Sequence, residues 1–433
     1  MSETIESFLT AAHRTFVEVT RREPGYFGTR PLRAGEPPQG AAAAVAAAFG
    51  VTLRPAGRRE FTAVDDLLDR RRRASPPNDP PSTGRWEGWR ERQDRRGAVR
   101  AARAAHLARA MDRRAARRSG RGLRYRAGGQ GSLLVLLTAL GHTDEVWHPL
   151  AERLLAGRRV VMWDAGEDAP SGGPWTLDGQ LADIDAVLAA EGAESCDVVA
   201  WCSGAQIAVE YAHRRPDTVR AAVLLHGSYP RAGGDPSSAY ERNLGAVCAS
   251  VAARPERAAR ALRALGGEAA PVPLPDDEHR AAVEVLARTP PGLDALLRRP
   301  FRDARALVRY SRQLTELWQR PIPAPGPGLP PLLSLGGELD RIAAPEPPAA
   351  LVPLLTGGHG LLVGATHYSL LDRPDVVAAV CGAFLDDPAA GPPVAAGGHE
   401  IRWNPVRPVT SAGSVTSVSP IQPVNPLHEE VTS

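Results

Sequence analysis

The residues best suited to chemistry stand in ESCDVVAWCSGAQIAVEYAHRRP, from Glu194 to Pro216. An apolar run, CDVVAW, meets a short turn, Ala200-Trp201-Cys202-Ser203-Gly204, and a helical pattern follows. A strand-to-helix elbow of this kind forces its central residue into a strained conformation, with the side chain projecting above a sheet. That residue is Cys202, with the small Ala200 and Gly204 two positions away on either side, as close passage of a helix over a strand demands. A thiolate there is a nucleophile, and the positive end of the helix dipole favours negative charge at that point. The Ser203 N–H, at the start of the helix, is placed to donate to an oxyanion. Shifting the elbow by one would make Ser203 the nucleophile, but its flanking residues would then be Trp201 and Ala205, and tryptophan does not fit against the helix. The competing reading of Cys202 is a small buried residue in an ordinary turn. Trp201 either lines an acyl pocket or fills the core.

An elbow needs a sheet beneath it. Buried strands are expected at SLLVLLTAL from Ser132, RRVVMW (158–163), CDVVAW (196–201), AAVLLHG (221–227), LLSLGG (332–337) and HGLLVGA (359–365). Helical stretches fall between them at 144–156, 176–192, 204–214 and 374–386. This alternation predicts an α/β domain over 126–386, with a mostly parallel sheet covered on both faces. Between the fourth and fifth strands, residues 232–325 read as helices, and they predict a lid inserted above the sheet edge. Residues 1–125 read as a helical, Arg-rich N-terminal region. Its parts are an amphipathic helix at 3–22, an alanine-rich helix at 40–49, a proline-rich loop at 74–84 and a long Arg/Ala helix at 85–120. Residues 387–433 are rich in Pro, Gly, Ser and Val without periodicity, and predict a disordered tail.

The region from about 125 to 386 resembles the α/β-hydrolase superfamily. VLLTALGHTDEVWHPLAERL parallels that family's LLHGxxxxxxxW segment without a gap, Thr138-Ala139 replacing the His-Gly pair. Leu140 then takes the position whose N–H completes the oxyanion hole with that of Ser203. RRVVMWDAGEDAPSG parallels the D-x-R-G-x-G-x-S loop and keeps Asp164 clearly. In the family order an acid follows a late strand and a histidine follows the last strand. LLSLGGELDRIAAP offers Asp340 and LLVGATHYSLLDRP offers His367, so the resemblance implies a Cys202–Asp340–His367 triad.

A cysteine at the elbow is similar to dienelactone hydrolases, cysteine-type thioesterases, Dieckmann cyclases and the aminoacyltransferases of nonribosomal peptide pathways. The long N-terminal extension looks most like the syringomycin type of the last group. The resemblance implies transfer of an acyl or aminoacyl group between acyl or peptidyl carrier proteins through a Cys202 thioester, with phosphopantetheine supplied by the partner and no bound cofactor. A thioesterase or cyclase, or a non-catalytic carrier-docking scaffold, is the alternative.

Charge gives such a partner a place to dock. All 52 basic residues are arginine, and from Arg58 to Arg126 there are 21 arginines against nine acidic residues. Arginines along 85–126, including Arg90, Arg113 and Arg114, with Trp86 and Trp89 as anchors, are candidates to meet an acidic carrier helix; a plain solvated helix face is the alternative. No recognisable DNA-binding motif accompanies them, which argues against nucleic acid. Four cysteines without CxxC or metal spacing fit free thiols in a reducing cytoplasm. His142, His148 and His226 read as hydrogen-bonded side chains rather than metal ligands. No signal peptide, membrane span, dinucleotide fingerprint or P-loop is apparent.

Overall fold

The computed structural model describes Leu107 and residues 111–404, apart from 119–120, 165–174, 232–236, 267–293, 338–339, 341, 363–364, 366, 373 and 398–400. The strands are β1 (Asp112–Arg118), β2 (Arg121–Gly128), β3 (Ser132–Leu137), β4 (Arg158–Met162), β5 (Cys196–Trp201), β6 (Val219–Leu225), β7 (Leu332–Gly337), β8 (Gly358–Leu362) and β9 (Ile401–Asn404). They form one sheet in the order β1-β2-β4-β3-β5-β6-β7-β8-β9. The pairs from β4 through β8 are parallel, while β1–β2, β2–β4 and β8–β9 are antiparallel.

The longer helices are α1 (His148–Leu154), α2 (Leu177–Glu191), α3 (Ser203–Arg214), α4 (Ala239–Ala253), α5 (Ala258–Gly266), α6 (Ala304–Trp318) and α7 (Pro374–Asp386). Strand alternation divides the core. Cys196, Val198 and Ala200 of β5 face one cluster with Ile184, Val187 and Ile207 of α2 and α3. Val199 and Trp201 face the other, with Leu150 of α1 and Val380 and Phe384 of α7. Both faces being covered, the central strands are mostly apolar and β5 and β7 are buried at every position; their polar exceptions are partnered, Asp197 of β5 by Arg158 and Arg220 and Ser334 of β7 by His359. Helix starts follow their sequence signals. Thr176 Oγ1 accepts from Gly179 N at 3.0 Å ahead of α2, Asp303 Oδ1 from Ala306 N at 2.7 Å ahead of α6, and Ser238 and Glu241 form a capping box on α4.

Two expectations are corrected. The long helix expected at 85–120 does not run to its end, since residues 112–118 are strand and pair with 121–128. The Arg/Ala composition favours a helix, but β2 also pairs with β4, and burial of Ala116, Tyr125 and Ala127 against the sheet overrides that local preference. The tail expected from 387 contributes β9, whose Ile401 and Trp403 close over Gly360 of β8 and cover that edge of the sheet. The helices expected at 3–22 and 40–49, the proline-rich loop at 74–84, residues 267–293 of the expected lid and residues 405–433 lie outside the described residues.

Candidate active site

The elbow is present where the sequence places it. Cys202 links β5 directly to α3 with φ 54° and ψ −123°. Its N–H donates to Leu225 O at 3.0 Å, and its carbonyl accepts from Ser228 N at 3.1 Å, so the strained turn is pinned to the end of β6. Gly204 is required sterically: a Cβ there would lie 2.5 Å from Leu137 O and 3.0 Å from Thr138 O, so it is the close approach of α3 to the end of β3 that selects glycine.

The acid and the imidazole meet. His367 Nδ1 lies 2.8 Å from Asp340 Oδ2, both residues buried. Asp340 follows β7 on a loop that returns tightly: a Cβ on Gly336 would sit 2.4 Å from Pro345 O. Its second oxygen, Oδ1, accepts from Ile342 N at 2.8 Å and Ala343 N at 2.9 Å. Burial alone would raise the Asp340 pKa; His367, with the hydrogen bonds of His226 and His367, outweighs it and holds the carboxyl below the usual range. Burial alone would lower the His367 pKa, but the Asp340 carboxylate and then the Cys202 thiolate more than reverse this and raise it. His367 Nε2 is buried and makes no hydrogen bond of ordinary geometry, although the Cys202 sulfur interacts with it. The Trp201 indole N–H donates to the His367 carbonyl at 3.0 Å, and its ring centroid is 5.3 Å from the imidazole. Trp201 therefore fills the core and lines the site at once.

Sequence reasoning read His226 as a hydrogen-bonded side chain, which it is, but did not place it on the carboxylate of Asp340. His226 Nδ1 lies 3.0 Å from the same Asp340 Oδ2, and its Nε2 is 2.6 Å from Ser369 Oγ. The signal was a polar residue closing the apolar run AAVLLHG at the top of β6.

The oxyanion hole departs from expectation. Leu140 is positioned beside Ser203, but its N–H donates to Ser203 Oγ at 2.9 Å and is not free. Nearby, Thr138 Oγ1 donates to Trp163 O at 3.0 Å and accepts from the Trp147 indole N–H at 2.9 Å, tying the β3 loop to β4 and to the helix that follows. This hydroxyl serves at the place of the family's histidine.

Above Cys202 is a cavity of about 50 Å³. Aromatic side chains crowd it, namely Trp201, Tyr240, Phe301, Tyr310 and Tyr368, together with His142 and Glu241. Burial, reinforced by His367, holds His142 down to about 3, so it stays neutral, and its Nδ1 is buried without a hydrogen-bond partner. Glu241 uses Oε2 to accept from Ser238 N and Ala344 N, with Arg231 Nε 3.6 Å away, while its Oε1 is buried and unpartnered.

Of the candidate docking residues, Trp86, Trp89 and Arg90 lie outside the described residues. Arg113 and Arg114 stand exposed on the edge strand β1 rather than on a helix, and Arg114 pairs with Glu191 at 3.1 Å. Among the described residues no helix is long and apolar enough to cross a membrane.

A protein named as a carbamate hydrolase, RutD, from Azorhizobium caulinodans is 30% identical over 108 residues, covering 24% of this chain and 41% of that protein. Among solved structures, the enol-lactonase from Burkholderia xenovorans LB400 is 20% identical with a TM-score of 0.48, and the match covers 63% of this chain and 100% of that one. A mutant of an epoxide hydrolase from Bacillus megaterium is 18% identical with a TM-score of 0.48 and the same coverage of each chain. The model of the alpha/beta hydrolase family matches residues 134–380, more than half of the sequence and the whole of the span from β3 into α7, and the chain belongs to that family.

Proposed function

We propose that the chain is an acyltransferase that moves a thioester-bound acyl or aminoacyl group between carrier-protein phosphopantetheine thiols through a Cys202 acyl-enzyme. The observation that carries this reading is a thiol, not a hydroxyl, at the strained elbow beside a buried imidazole–carboxylate pair. His367, held by Asp340, takes the Cys202 proton. The thiolate attacks the donor carbonyl, and the tetrahedral oxyanion faces the Ser203 N–H, a first-turn group with no acceptor in its own helix. The Leu140 N–H acts through the Ser203 hydroxyl, which it polarises and which can donate in turn. Collapse expels the donor thiolate, which takes the proton from His367. The acceptor thiol then gives its proton to His367, attacks the Cys202 thioester and leaves with the acyl group. Both bonds exchanged are thioesters, so the cargo passes in either direction without an energetic trap. The aromatic walls and the free Glu241 oxygen suit an ammonium group, which supports an aminoacyl cargo.

The named activities of the relatives favour a second reading, in which water is the acceptor and the protein is a cysteine-type thioesterase. Intact-protein mass spectrometry separates the two. Wild type and Cys202→Ala are mixed with loaded donor carriers, then with an empty carrier. An acyl mass on wild type alone that reappears on the second carrier is the expected result. Release as free acid moves the assignment to the thioesterase, and acylation of Cys202→Ala equal to wild type overturns the nucleophile.

A further inference from the structure

We propose that His226 is a positioning residue, one that holds Asp340 as an anion and sets how much of its charge His367 receives. This rests on the triad of the proposed function. Asp340 Oδ2 lies 2.8 Å from His367 Nδ1 and 3.0 Å from His226 Nδ1, while Oδ1 accepts two backbone N–H groups. A carboxylate is acceptor-only, so four donors saturate it and both imidazoles carry their proton on Nδ1. For His367 this tautomer leaves Nε2 bare toward Cys202. For His226 it leaves Nε2 to accept from the Ser369 hydroxyl at 2.6 Å. Ser369, His226, Asp340 and His367 thus form one buried chain of hydrogen bonds that ends at the nucleophile.

The backbone makes the same point independently. Among the described residues two non-glycines have positive φ, Cys202 at 54° and His226 at 49°. Such strain persists only where the surroundings fix it, and it clusters at functional sites. The turn at His226 is held by its N–H donating to Leu335 O at 2.7 Å, and it aims the imidazole between Asp340 and Ser369. Asp340 and His367, whose ring centroid is 5.5 Å away, are titratable groups beside His226, and His367 in turn faces Cys202, His142 and Tyr368.

Removing the His226 N–H leaves Asp340 Oδ2 to His367 and strengthens its imidazolium, while Oδ1 keeps its two backbone N–H groups. The test is the pH dependence of Cys202 alkylation by iodoacetamide, which needs no turnover. Its upper step reports loss of the His367 proton. In His226→Leu this step should move up by roughly half a pH unit or more. In His226→Asn, whose amide N–H replaces Nδ1–H, it should stay with wild type. A purely structural role would lower the melting temperature without moving the step. An unmoved step in the Leu variant, or equal movement in both variants, overturns the inference. Should the Leu variant not fold, proton NMR of the wild type decides: two imidazole N–H protons shifted downfield by a carboxylate support it, and only one overturns it. Failure of acyl transfer with this pH pattern intact would sink the proposed function and leave His226 in place.

Discussion

Gly204→Ala probes the elbow with a single methyl group. The added Cβ would lie 2.5 Å from Leu137 O, whereas ordinary contact begins at 3.4 Å, so α3 and the end of β3 must separate by about 0.9 Å. Both neighbours are backbone, and β3 is locked into the sheet between β4 and β5, so nothing flexible can absorb the shift. Overpacking of this kind costs roughly 1–3 kcal/mol. The larger effect falls on chemistry, because the shift separates the Cys202–Ser203 turn from the Leu140 loop. Displacing reacting groups by about 1 Å costs on the order of 100-fold in rate. The assay is the initial rate of acylation by a small acyl thioester, followed by intact mass, beside urea unfolding. Val187→Ala, buried on α2 away from the site, is the control that loses roughly 2 kcal/mol of stability while keeping its acylation rate. Acylation of Gly204→Ala within about threefold of wild type would refute the claim that α3 must approach β3 so closely for the thiol to work.

Three further outcomes are expected. Glu241→Gln keeps the capping box of α4, since glutamine serves at that position, but loses the carboxylate charge. Acylation by an aminoacyl thioester should fall by about 10-fold relative to its deamino analogue, read in competition by mass; equal loss for both would remove Glu241 from cargo recognition. Cys202→Ser should form an oxygen ester that persists when an empty carrier thiol is added, and prompt return of the acyl group to thiol would contradict the thioester-exchange argument. Burial holds His359 at about 4, below its usual 6.5, so the unfolded chain takes up a proton that the folded state refuses. Its stabilising contribution is full above pH 6.5 and is lost as pH falls through about 4. The loss is on the order of 3 kcal/mol. His148, also held at about 4 by burial, works in the same window, so unfolding of His359→Asn against wild type between these limits isolates the His359 part.

What could be read from the sequence was what short range dictates. Apolar runs marked the six central strands to within a few residues, because strands buried on both faces carry few polar positions to blur them. The positions of Cys202, Asp340 and His367 at strand ends were legible because each stands just past such a run. β1 was not, since DRRAARR is strand only through its partners β2 and, beyond it, β4. β9 is four residues long and forms where β8 would otherwise present an open edge, a tertiary cause with no local pattern. His226 was visible as a histidine at a strand end, but its role depends on a side chain 114 positions away. The engagement of the Leu140 N–H by Ser203 joins residues 63 apart, and no spacing rule reports it.

The proton chemistry of the site also bears on the choice between thiol and water as acceptor. His367 owes its raised proton affinity to two anions, the Asp340 carboxylate and the Cys202 thiolate. Acylation removes the second of these. In the acyl-enzyme only Asp340 remains, and that carboxylate also serves His226 and two backbone N–H groups. His367 releases its proton to the departing thiolate and stands as a neutral base whose proton affinity the Asp340 carboxylate still raises. Such a base can take the proton of an acceptor thiol, whose own pKa is about 8.5. Water, near 15.7, yields its proton only in part as the bond forms. Under the proposed function, the same side chains favour a second thiol over water as the acceptor of the acyl group.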